Sequence, residues 1–391
     1  MKEIKNCEVC GNHELVEVLN LGSHPLCDDL VPIGNEAICK EYPIVIMYCR
    51  KCYTVHQKYQ VEKKLLFPKN YHYRARMTGS VLNGMSELVE SCEKKFGSLT
   101  GKTALDIGCN DGSLLNYFEQ KDCKTIGIEP TGAALDSKHK TLNTFFDNES
   151  ATSVLELVGK PDFITFTNVF AHIEDLPSLL ENLKIIIGSN TTIVIENHYL
   201  GDILTRGQFD TFYHEHPRTY SFESFKYIAN TLGLKLLDVE FVSRYGGNIR
   251  VYIGSGSETT INIDESNFGS RFKNMEEDLI KWKKETLEMI NDHVKKNGKL
   301  RAKAFPGRAA ILIKLLGLTE EQISAVYEIK GSIKVGNYIP GTRIPIYPEA
   351  DLYKLDMTEP ILNLAWHIPA EVRANLAKNL YTGKVIDIRT I

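Results

Sequence analysis

The chain has 391 residues and a net charge of −4; 43% of its residues are hydrophobic and 25% are charged. At about 100–200 residues per domain, this length predicts two or three domains, and the composition excludes disorder, collagen-like repeats and a small disulfide scaffold. The slight acidity argues against a nucleic-acid partner, and no apolar run reaches the roughly 18 residues of a membrane span. Because Met1–Asn6 lacks the apolar core of a signal peptide, we expect a cytoplasmic protein.

The cysteines are concentrated at the start of the chain, where six of the nine fall within the first 52 residues. They include two CxxC pairs, Cys7 with Cys10 and Cys49 with Cys52, with 38 residues between the pairs. Disulfides are not expected in a reducing compartment. Two such pairs instead predict a closed tetrahedral site for a structural zinc ion. The alternatives are four free buried thiols, or one redox CxxC beside a chance pair.

After the cysteines, the pattern changes to alternating helices and strands. Residues 62–98 carry apolar side chains at helical spacing, and residues 103–253 alternate short apolar runs with helical stretches, as in a parallel α/β sheet. The strands predicted in this region are Thr103–Ile107, Thr125–Ile128, Phe163–Thr167, Thr192–Glu196, Leu234–Val242 and Asn248–Ile253.

The last third of the chain is a separate α/β pattern. Residues 256–270 are polar and predict a linker, and a charged helix follows from Arg271 to Lys296. Further strands are predicted near Arg301–Ala304, Ala325–Tyr327 and Lys384–Ile388. We therefore predict three domains, at residues 1–62, 63–255 and 256–391.

A glycine-containing loop follows the first strand of the central domain. Its pattern, Asp106-x-Gly108-x-x-x-Gly112, lacks the second and third glycines of a dinucleotide fingerprint, whose positions hold Asn110 and Ser113, and it lacks the Lys-Ser/Thr of a Walker loop. It is typical of the looser loop that binds S-adenosylmethionine, where glycine lets the backbone approach the cofactor. Glu129 lies 21 residues beyond Gly108, at the end of the next strand, where its carboxylate could accept both ribose hydroxyls. The alternative is a plain turn with an exposed glutamate.

A cluster of titratable residues occupies Tyr213–His216, just before a proline. One such loop can provide a general base, an orienting carboxylate and a hydrogen-bond donor. The histidine pair could instead bind a metal, or the loop could simply be solvated. His172, at the end of the third predicted strand, is a further candidate, because such strand ends line the ligand crevice of open α/β sheets.

Together these motifs resemble the sugar C-methyltransferases that act on nucleotide-linked 4-keto-deoxysugars, and the resemblance covers nearly the whole chain. The matching segments are the two CxxC pairs, Leu21–Gly22 with Pro25–Leu26, Tyr42–Pro43, Tyr71-x-Tyr73, Ile107–Gly112, Gly127–Pro130, Asn168–Val169 with Ala171–His172, Tyr213–His216, Gly246–Gly247 with Arg250, Tyr338–Gly341 with Ile344–Ile346, and Leu364–Trp366. The segment Ala304–Ala309 departs from the family pattern, which has a Gly-Ala…Lys-Gly stretch there.

The resemblance implies an α/β protein whose Rossmann-like methyltransferase domain is flanked by a small zinc-binding N-terminal domain and a C-terminal Rossmann-like domain that helps to hold the nucleotide sugar. The implied cofactors are S-adenosylmethionine and a structural Zn²⁺ ion. The implied zinc ligands are Cys7, Cys10, Cys49 and Cys52. The implied cofactor-binding residues are Asp106, Gly108, Asn110, Asp111, Gly112, Glu129 and Asn168.

The implied reaction places a methyl group on the carbon next to the ketone of a dTDP- or GDP-linked keto sugar. His216 would be the general base, and the residues around the sugar would be Tyr213, Glu215, His172 and Tyr73. Two alternatives remain: O-methylation of a nucleotide-sugar hydroxyl, and a non-catalytic nucleotide-sugar-binding protein. We expect no nucleic-acid or membrane partner, and a monomer or weak homodimer.

Overall fold

A computed structural model describes residues 1–67 and 74–390 of the chain. The N-terminal region is built on a four-stranded antiparallel sheet whose neighbouring strands are, in spatial order, Arg218–Thr219, Val55–Gln57, Glu41–Cys49 and Leu15–Pro25. Its first strand thus comes from the central region of the chain. Short strands Lys2–Glu3 and Tyr59–Gln60 pair with each other, and Val31–Pro32 pairs with Asn337–Tyr338 near the other end of the chain. These pairings join the N-terminal region to both other parts of the protein.

The central region contains a seven-stranded sheet with helices on its faces. Its strands, in spatial order, are Lys235–Val242, Asn248–Gly254, Thr192–His198, Phe163–Thr167, Thr103–Ile107, Lys124–Ile128 and Lys140–Leu142. The helices of this region are Lys63–Leu66, Gly79–Phe96, Ser113–Glu119, Asn148–Val158, Leu176–Ile186, Leu200–Thr205 and Phe222–Thr231. The central strands are buried apolar runs, as sheets covered on both faces require.

The expectation of an all-parallel sheet is wrong for one strand. Asn248–Gly254 pairs antiparallel with both of its neighbours, whereas the other six strands run parallel to one another. The cause is the short connection at residues 243–247, because a parallel crossover needs a dozen or more residues and a few residues permit only a hairpin. The predicted helix at 62–98 is also interrupted, since a separate short 3-10 turn at Ala75–Met77 precedes the helix Gly79–Phe96.

The C-terminal region is a second α/β unit behind a 30-residue helix, Phe268–Asn297. Its five parallel strands, in spatial order, are Ile346–Pro348, Ile323–Glu328, Leu300–Lys303, Ile361–Asn363 and Val385–Asp387. Its other helices are Ala309–Leu316, Glu349–Leu352 and Pro369–Lys378. None of the helices in the described ranges is long and apolar enough to cross a bilayer. The α/β class and the order of the elements are confirmed.

Candidate active site and zinc centre

The four predicted zinc ligands lie together. The sulfur atoms of Cys7, Cys10, Cys49 and Cys52 all fall within 4.8 Å of one another. Cys7 Sγ lies 3.4 Å from Cys52 Sγ, and Cys10 Sγ lies 3.6 Å from Cys49 Sγ. A tetrahedral ion with four Zn–S bonds of about 2.3 Å places its sulfurs roughly 3.8 Å apart, so this arrangement fits zinc. In residues 1–67 and 74–390 it is the only such cluster of three or more ligands, and the histidine pair of the Tyr213–His216 loop forms none.

Polar side chains around the sulfurs support thiolate ligands. Thr54 Oγ1 lies 3.0 Å from Cys52 Sγ, and His56 Nε2 lies 3.3 Å from Cys7 Sγ. Such outer contacts orient the ligands of a metal site and balance the charge on their sulfurs. The geometry therefore favours a structural metal site over free thiols.

A cavity of about 570 Å³ opens at the carboxyl ends of the central strands and is also lined by side chains from both flanking regions. Five of the predicted cofactor residues line it: Asp106, Gly108, Asn110, Glu129 and Asn168. Four of the predicted catalytic residues line the same cavity: His172, Tyr213, Glu215 and His216. Tyr73 lies outside the described residues. The sequence motifs thus converge on one space.

The loop after the first central strand needs glycine for steric reasons. Gly108 has a φ of +76°, and a Cβ atom there would lie 2.6 Å from Val169 Cγ1. Asn110 also has a positive φ, +52°, and its backbone N–H donates to Glu129 Oε2 at 3.0 Å. The loop therefore presents bare backbone to the cavity, as a cofactor that must approach closely requires.

Glu129 is buried and accepts three hydrogen bonds. Besides the Asn110 N–H, its Oε1 accepts the backbone N–H of Thr131 at 2.8 Å and the Thr131 hydroxyl at 2.6 Å. A carboxylate offers about four acceptor positions, so this geometry leaves room for about one ribose hydroxyl instead of the two that were expected. Burial, and then the Glu129 charge, raise the pKa of the neighbouring Asp106 to about 7, against the opposing hydrogen bond from Thr165.

Asp111 and Gly112 do not line the cavity. The Asp111 carboxylate accepts the Ser113 hydroxyl at 2.6 Å and the Arg76 backbone N–H at 3.1 Å, so it fixes the start of the helix Ser113–Glu119. Gly112 occupies the left-handed N-cap position of that helix, with a φ of +76°. Both residues shape the loop from outside the cavity.

Asn168 has a rigid polar support. Its backbone N–H donates to the carbonyl of Glu196 at 2.7 Å, and its Oδ1 accepts Asn248 Nδ2 at 3.1 Å. The Glu196 carboxylate is fully buried and pairs with Arg250 at 2.8 Å and with Arg244. Asn168 is thereby held at the cavity wall in a left-handed conformation, with a φ of +54°.

His216 is the centre of a cluster of rings. The centroid of its ring lies 4.3 Å from that of Tyr213, 4.8 Å from that of His172 and 5.3 Å from that of His198. Its Nδ1 lies 2.8 Å from the carbonyl oxygen of Thr211. A carbonyl can only accept, so Nδ1 carries the proton. Nε2 then bears the lone pair and has no hydrogen-bond partner among the residues described.

Burial lowers the pKa of His216 well below its usual value, and the neighbouring His172 and His198 lower it further. Burial also lowers the pKa of His172 to about 4 and that of His198 to about 3. All three imidazoles are therefore neutral at neutral pH. A neutral ring with a free Nε2 lone pair has the form that a general base requires.

Glu215 differs from the expected orienting carboxylate. The acceptor that orients His216 is the Thr211 carbonyl, whereas the backbone oxygen of Glu215 accepts His172 Nδ1 at 2.7 Å. Burial, and then the nearby Asp28, raise the pKa of the Glu215 carboxyl to about 8. It thus keeps its proton at neutral pH and can donate. His214 turns away from the cavity, with its Nε2 3.0 Å from the carbonyl of Tyr42.

Several polar cavity residues were missed by sequence reasoning: Asp28, His198, Arg308, Lys334 and His367. Only His198 carried a signal, because it ends the strand Thr192–His198, and strand ends line the crevice. The others come from loops of the flanking regions. Lys334 Nζ, for example, lies 3.0 Å from the carbonyl of Phe305 and 3.4 Å from Asp28 Oδ1, so it joins both flanking regions at the cavity.

Three family models match successive parts of the chain. Residues 7–67 match a family described as "Putative zinc binding domain", residues 74–239 match "Methyltransferase domain", and residues 245–386 match "C-methyltransferase C-terminal domain". The chain is also 25% identical to the C-methyltransferase NovU of Streptomyces niveus, over 98% of this chain and 94% of NovU.

Two solved structures have a partial likeness to this chain. Magnesium protoporphyrin IX methyltransferase from Synechocystis PCC 6803, with bound S-adenosylmethionine, shares 12% identity and a TM-score of 0.34, over 45% of this chain and 79% of its own. An S-adenosylmethionine-dependent methyltransferase from Clostridium acetobutylicum shares 15% identity and a TM-score of 0.35, over 45% of this chain and 92% of its own.

The three family models together span nearly the whole chain in the order that its motifs predicted, and the similarity to NovU extends from end to end. The residues that form the four-sulfur cluster and the cavity loop fit zinc and S-adenosylmethionine. The chain is therefore an S-adenosylmethionine-dependent C-methyltransferase with a structural zinc site.

Proposed function

We propose that the enzyme methylates a nucleotide-linked 4-keto sugar at the carbon next to the ketone, with His216 as the general base. One observation carries this proposal. The free Nε2 of a neutral His216 lines the same cavity as Gly108 and Glu129, the loop and the acid assigned to the cofactor. A base and a methyl donor that share one cavity suit the formation and capture of a carbanion.

The first step follows from the acidity of the substrate. A 4-keto group acidifies the neighbouring C–H bond, so His216 Nε2 takes that proton and the electron pair moves into an enolate. The Thr211 carbonyl stays bonded to Nδ1–H and stabilises the imidazolium that forms. S-adenosylmethionine, held by the loop at Gly108 and by Glu129, would supply an electrophilic methyl group to the enolate carbon and would leave as S-adenosylhomocysteine.

The developing enolate oxygen needs a hydrogen-bond donor. Burial, and then the nearby Glu215, raise the pKa of Tyr213 well above its usual value, so its phenol keeps its proton. The protonated Glu215 is a second donor. His172 is less suited, because its neutral ring has one proton and already donates it to the carbonyl of Glu215. We assign the oxyanion role to Tyr213 and Glu215.

The sequence left two alternative functions, a non-catalytic nucleotide-sugar-binding protein and an O-methyltransferase. A non-catalytic binding protein is excluded, because the chain is an enzyme of the C-methyltransferase family. O-methylation would use the same base and cofactor, so residues alone do not separate it from C-methylation; the C-methyltransferase relatives favour carbon. The nucleotide, dTDP or GDP, and a monomeric or weakly dimeric state remain predictions.

The proposal is tested with S-adenosylmethionine labelled in its methyl group and a panel of dTDP- and GDP-linked sugars. Each 4-keto sugar is paired with its 4-hydroxy counterpart. We expect label transfer to at least one keto sugar and to none of the 4-hydroxy sugars. Equal labelling of both members of a pair would contradict the need for an acidified C–H bond.

Glu129→Gln is expected to weaken S-adenosylmethionine binding by roughly 10- to 100-fold, because hydrogen bonds to a charged group contribute about 1.5–3 kcal/mol. Calorimetry of the cofactor with each variant measures this change. The matched control is Glu149→Gln, an exposed glutamate in the first turn of the helix Asn148–Val158 that does not line the cavity. Equal affinities of the parent enzyme, Glu129→Gln and Glu149→Gln for S-adenosylmethionine would contradict the assignment of Glu129 to the cofactor site.

The pH dependence follows from the direction of the His216 shift. His216 acts when unprotonated, and burial among His172, His198 and Arg308 lowers its pKa. Activity is therefore expected not to fall as the pH drops from 8 towards the ordinary histidine pKa of about 6.5, because His216 stays neutral and Glu215, with a pKa of about 8, only gains protons over this range; it is expected to decline only below about 6.5. A kcat/KM profile measures the acid limb. A limb centred above pH 7 would show that a group other than a neutral His216 limits the reaction.

A further inference from the structure

A buried ion pair joins the catalytic loop to the C-terminal region. Asp210 is fully buried, and its carboxylate accepts Arg308 Nε at 2.8 Å and Arg308 Nη2 at 2.6 Å. The same carboxylate also accepts Trp366 Nε1 at 2.8 Å. This bidentate geometry is the strong form of an arginine–carboxylate pair. Both donors come from the C-terminal region, whereas Asp210 lies in the central one.

Asp210 is adjacent to the atom that orients the base. It is the middle residue of the short 3-10 turn Phe209–Thr211, and Thr211 supplies the carbonyl that accepts His216 Nδ1–H. The turn is also held by backbone hydrogen bonds, such as that from the Thr211 N–H to the carbonyl of Gln208 at 3.0 Å, and by the buried ring of Phe209, whose centroid lies 5.1 Å from that of Trp282. Asp210 adds a buried charged anchor to this turn, one residue before the Thr211 carbonyl.

Arg308 also reaches the cavity directly. It is the only arginine that lines the cavity in the described part of the chain, and it stands on the loop Pro306–Arg308. Its Nε and Nη2 are taken by Asp210, with Gln208 Oε1 a further 3.3 Å contact of Nη2. Although burial opposes ionisation of Asp210, the Arg308 guanidinium holds the pKa of that carboxyl below its usual value. The pair is therefore charged on both sides.

We propose that Asp210 is a positioning residue for the base: Arg308 and Trp366 anchor it, and it fixes the Thr211 carbonyl that selects the Nδ1–H tautomer of His216. The inference rests on the proposed function, because it assigns a task only if His216 is the base. It gives the C-terminal region a role in chemistry whose base and cofactor loop both lie in the central region. A bound substrate that contacts Arg308 would therefore also affect the ion pair between Arg308 and Asp210.

The test compares the full-length zinc-loaded enzyme with Asp210→Asn and with Arg308→Lys. Asparagine keeps the shape of the side chain but removes the charge, and lysine keeps the charge but removes the two-pronged donor. We expect kcat to fall on the order of 10²-fold in Asp210→Asn, since small misplacements of catalytic groups have effects of this size, and to fall less in Arg308→Lys. The dissociation constant for S-adenosylmethionine is expected to stay unchanged in both.

A second readout does not depend on activity. NMR of protein labelled with ¹⁵N-histidine reports which ring nitrogen of His216 carries the proton, with the signal assigned from its loss in His216→Asn. We expect the Nδ1–H form in the parent enzyme and a mixture of tautomers in Asp210→Asn. If Asp210→Asn fails to fold, Trp366→Phe removes one donor and keeps an aromatic ring, and the same mixture is expected there.

The matched control is Arg373→Gln, which removes an ion pair of the C-terminal region between Arg373 and Asp387 that does not touch the cavity. It is expected to leave both kcat and the His216 tautomer unchanged. Parent-like kcat and a pure Nδ1–H tautomer in Asp210→Asn would overturn the inference. Failure of the parent enzyme to methylate any keto sugar would instead overturn the proposed function, and the tautomer comparison would still decide the anchoring role.

Discussion

Replacing His216 with asparagine is expected to reduce methyl transfer by about 10³-fold, the usual contribution of a general base. Asparagine fills much of the same space and can still donate to the Thr211 carbonyl, but it cannot take a proton. Cofactor binding is expected to stay unchanged, because His216 contacts the ring cluster and not the loop at Gly108. Single-turnover rates and calorimetry with S-adenosylmethionine measure the two effects separately.

Deuterium exchange isolates the proton-transfer step. With a keto sugar in D₂O and no methyl donor, the parent enzyme is expected to exchange the hydrogen next to the ketone, and His216→Asn is expected to lose this exchange. The matched control is His214→Gln, two residues earlier, where glutamine can keep the hydrogen bond to the carbonyl of Tyr42. Parent-like exchange in His216→Asn, or an equal loss in His214→Gln, would contradict the assignment of the base.

Loss of the zinc site is expected to have the second large effect, on both stability and turnover. In Cys52→Ser we expect bound zinc to fall from about one equivalent to a small fraction, because structural sites need all four ligands. Metal binding and folding are one process in such modules. We therefore also expect a lower unfolding temperature. Elemental analysis and thermal unfolding monitored by circular dichroism measure these changes.

Loss of zinc is expected to disturb the active site, because the N-terminal sheet contacts the loop that carries His216. The strand Val55–Gln57 of the N-terminal sheet pairs with Arg218–Thr219, directly after the catalytic loop. Gln57 Nε2 donates to the carbonyl of Tyr213 at 3.2 Å, and the Gln57 N–H donates to that of Pro217 at 2.9 Å. When the N-terminal module loosens, both ends of the loop that carries His216 lose their support.

The control for the zinc prediction is Cys39→Ser, a buried cysteine of the same region outside the four-sulfur cluster. It is expected to keep its zinc and its turnover. A Cys52→Ser enzyme with full zinc content would contradict the four-cysteine site. A zinc-free enzyme with parent-like turnover would contradict the support of the catalytic loop by the N-terminal module.

Local chemistry explains what could be predicted from the sequence. The paired CxxC spacing, the glycine loop at Gly108 and the apolar strands each depend on neighbouring residues, and each is found where it was predicted. The antiparallel direction of Asn248–Gly254 also has a local cause, the short connection before this strand. The prediction missed it because it relied on the alternation of strands and helices and not on the length of that connection. The roles within Tyr213–His216 were less accessible, because residue types alone do not show which side chain faces which acceptor.

The remaining parts of the site depend on how distant segments meet. Arg308 pairs with Asp210 from 98 residues away, and Lys334 meets Asp28 from the opposite end of the chain. No periodicity or motif around these residues predicts the contacts. The protonated state of Glu215 likewise follows from burial and from Asp28, neither of which can be read from the Tyr-His-Glu-His sequence.

The position of the transferred methyl group tests the account most directly. The enzyme is incubated with S-adenosylmethionine carrying a ¹³C methyl group and with the 4-keto sugar that accepts label, and the product is analysed by NMR and mass spectrometry. We expect a methyl carbon bonded to the carbon next to the ketone, with the hydrogen of that carbon replaced. A methyl carbon bonded to a sugar oxygen, with that hydrogen retained, would contradict it.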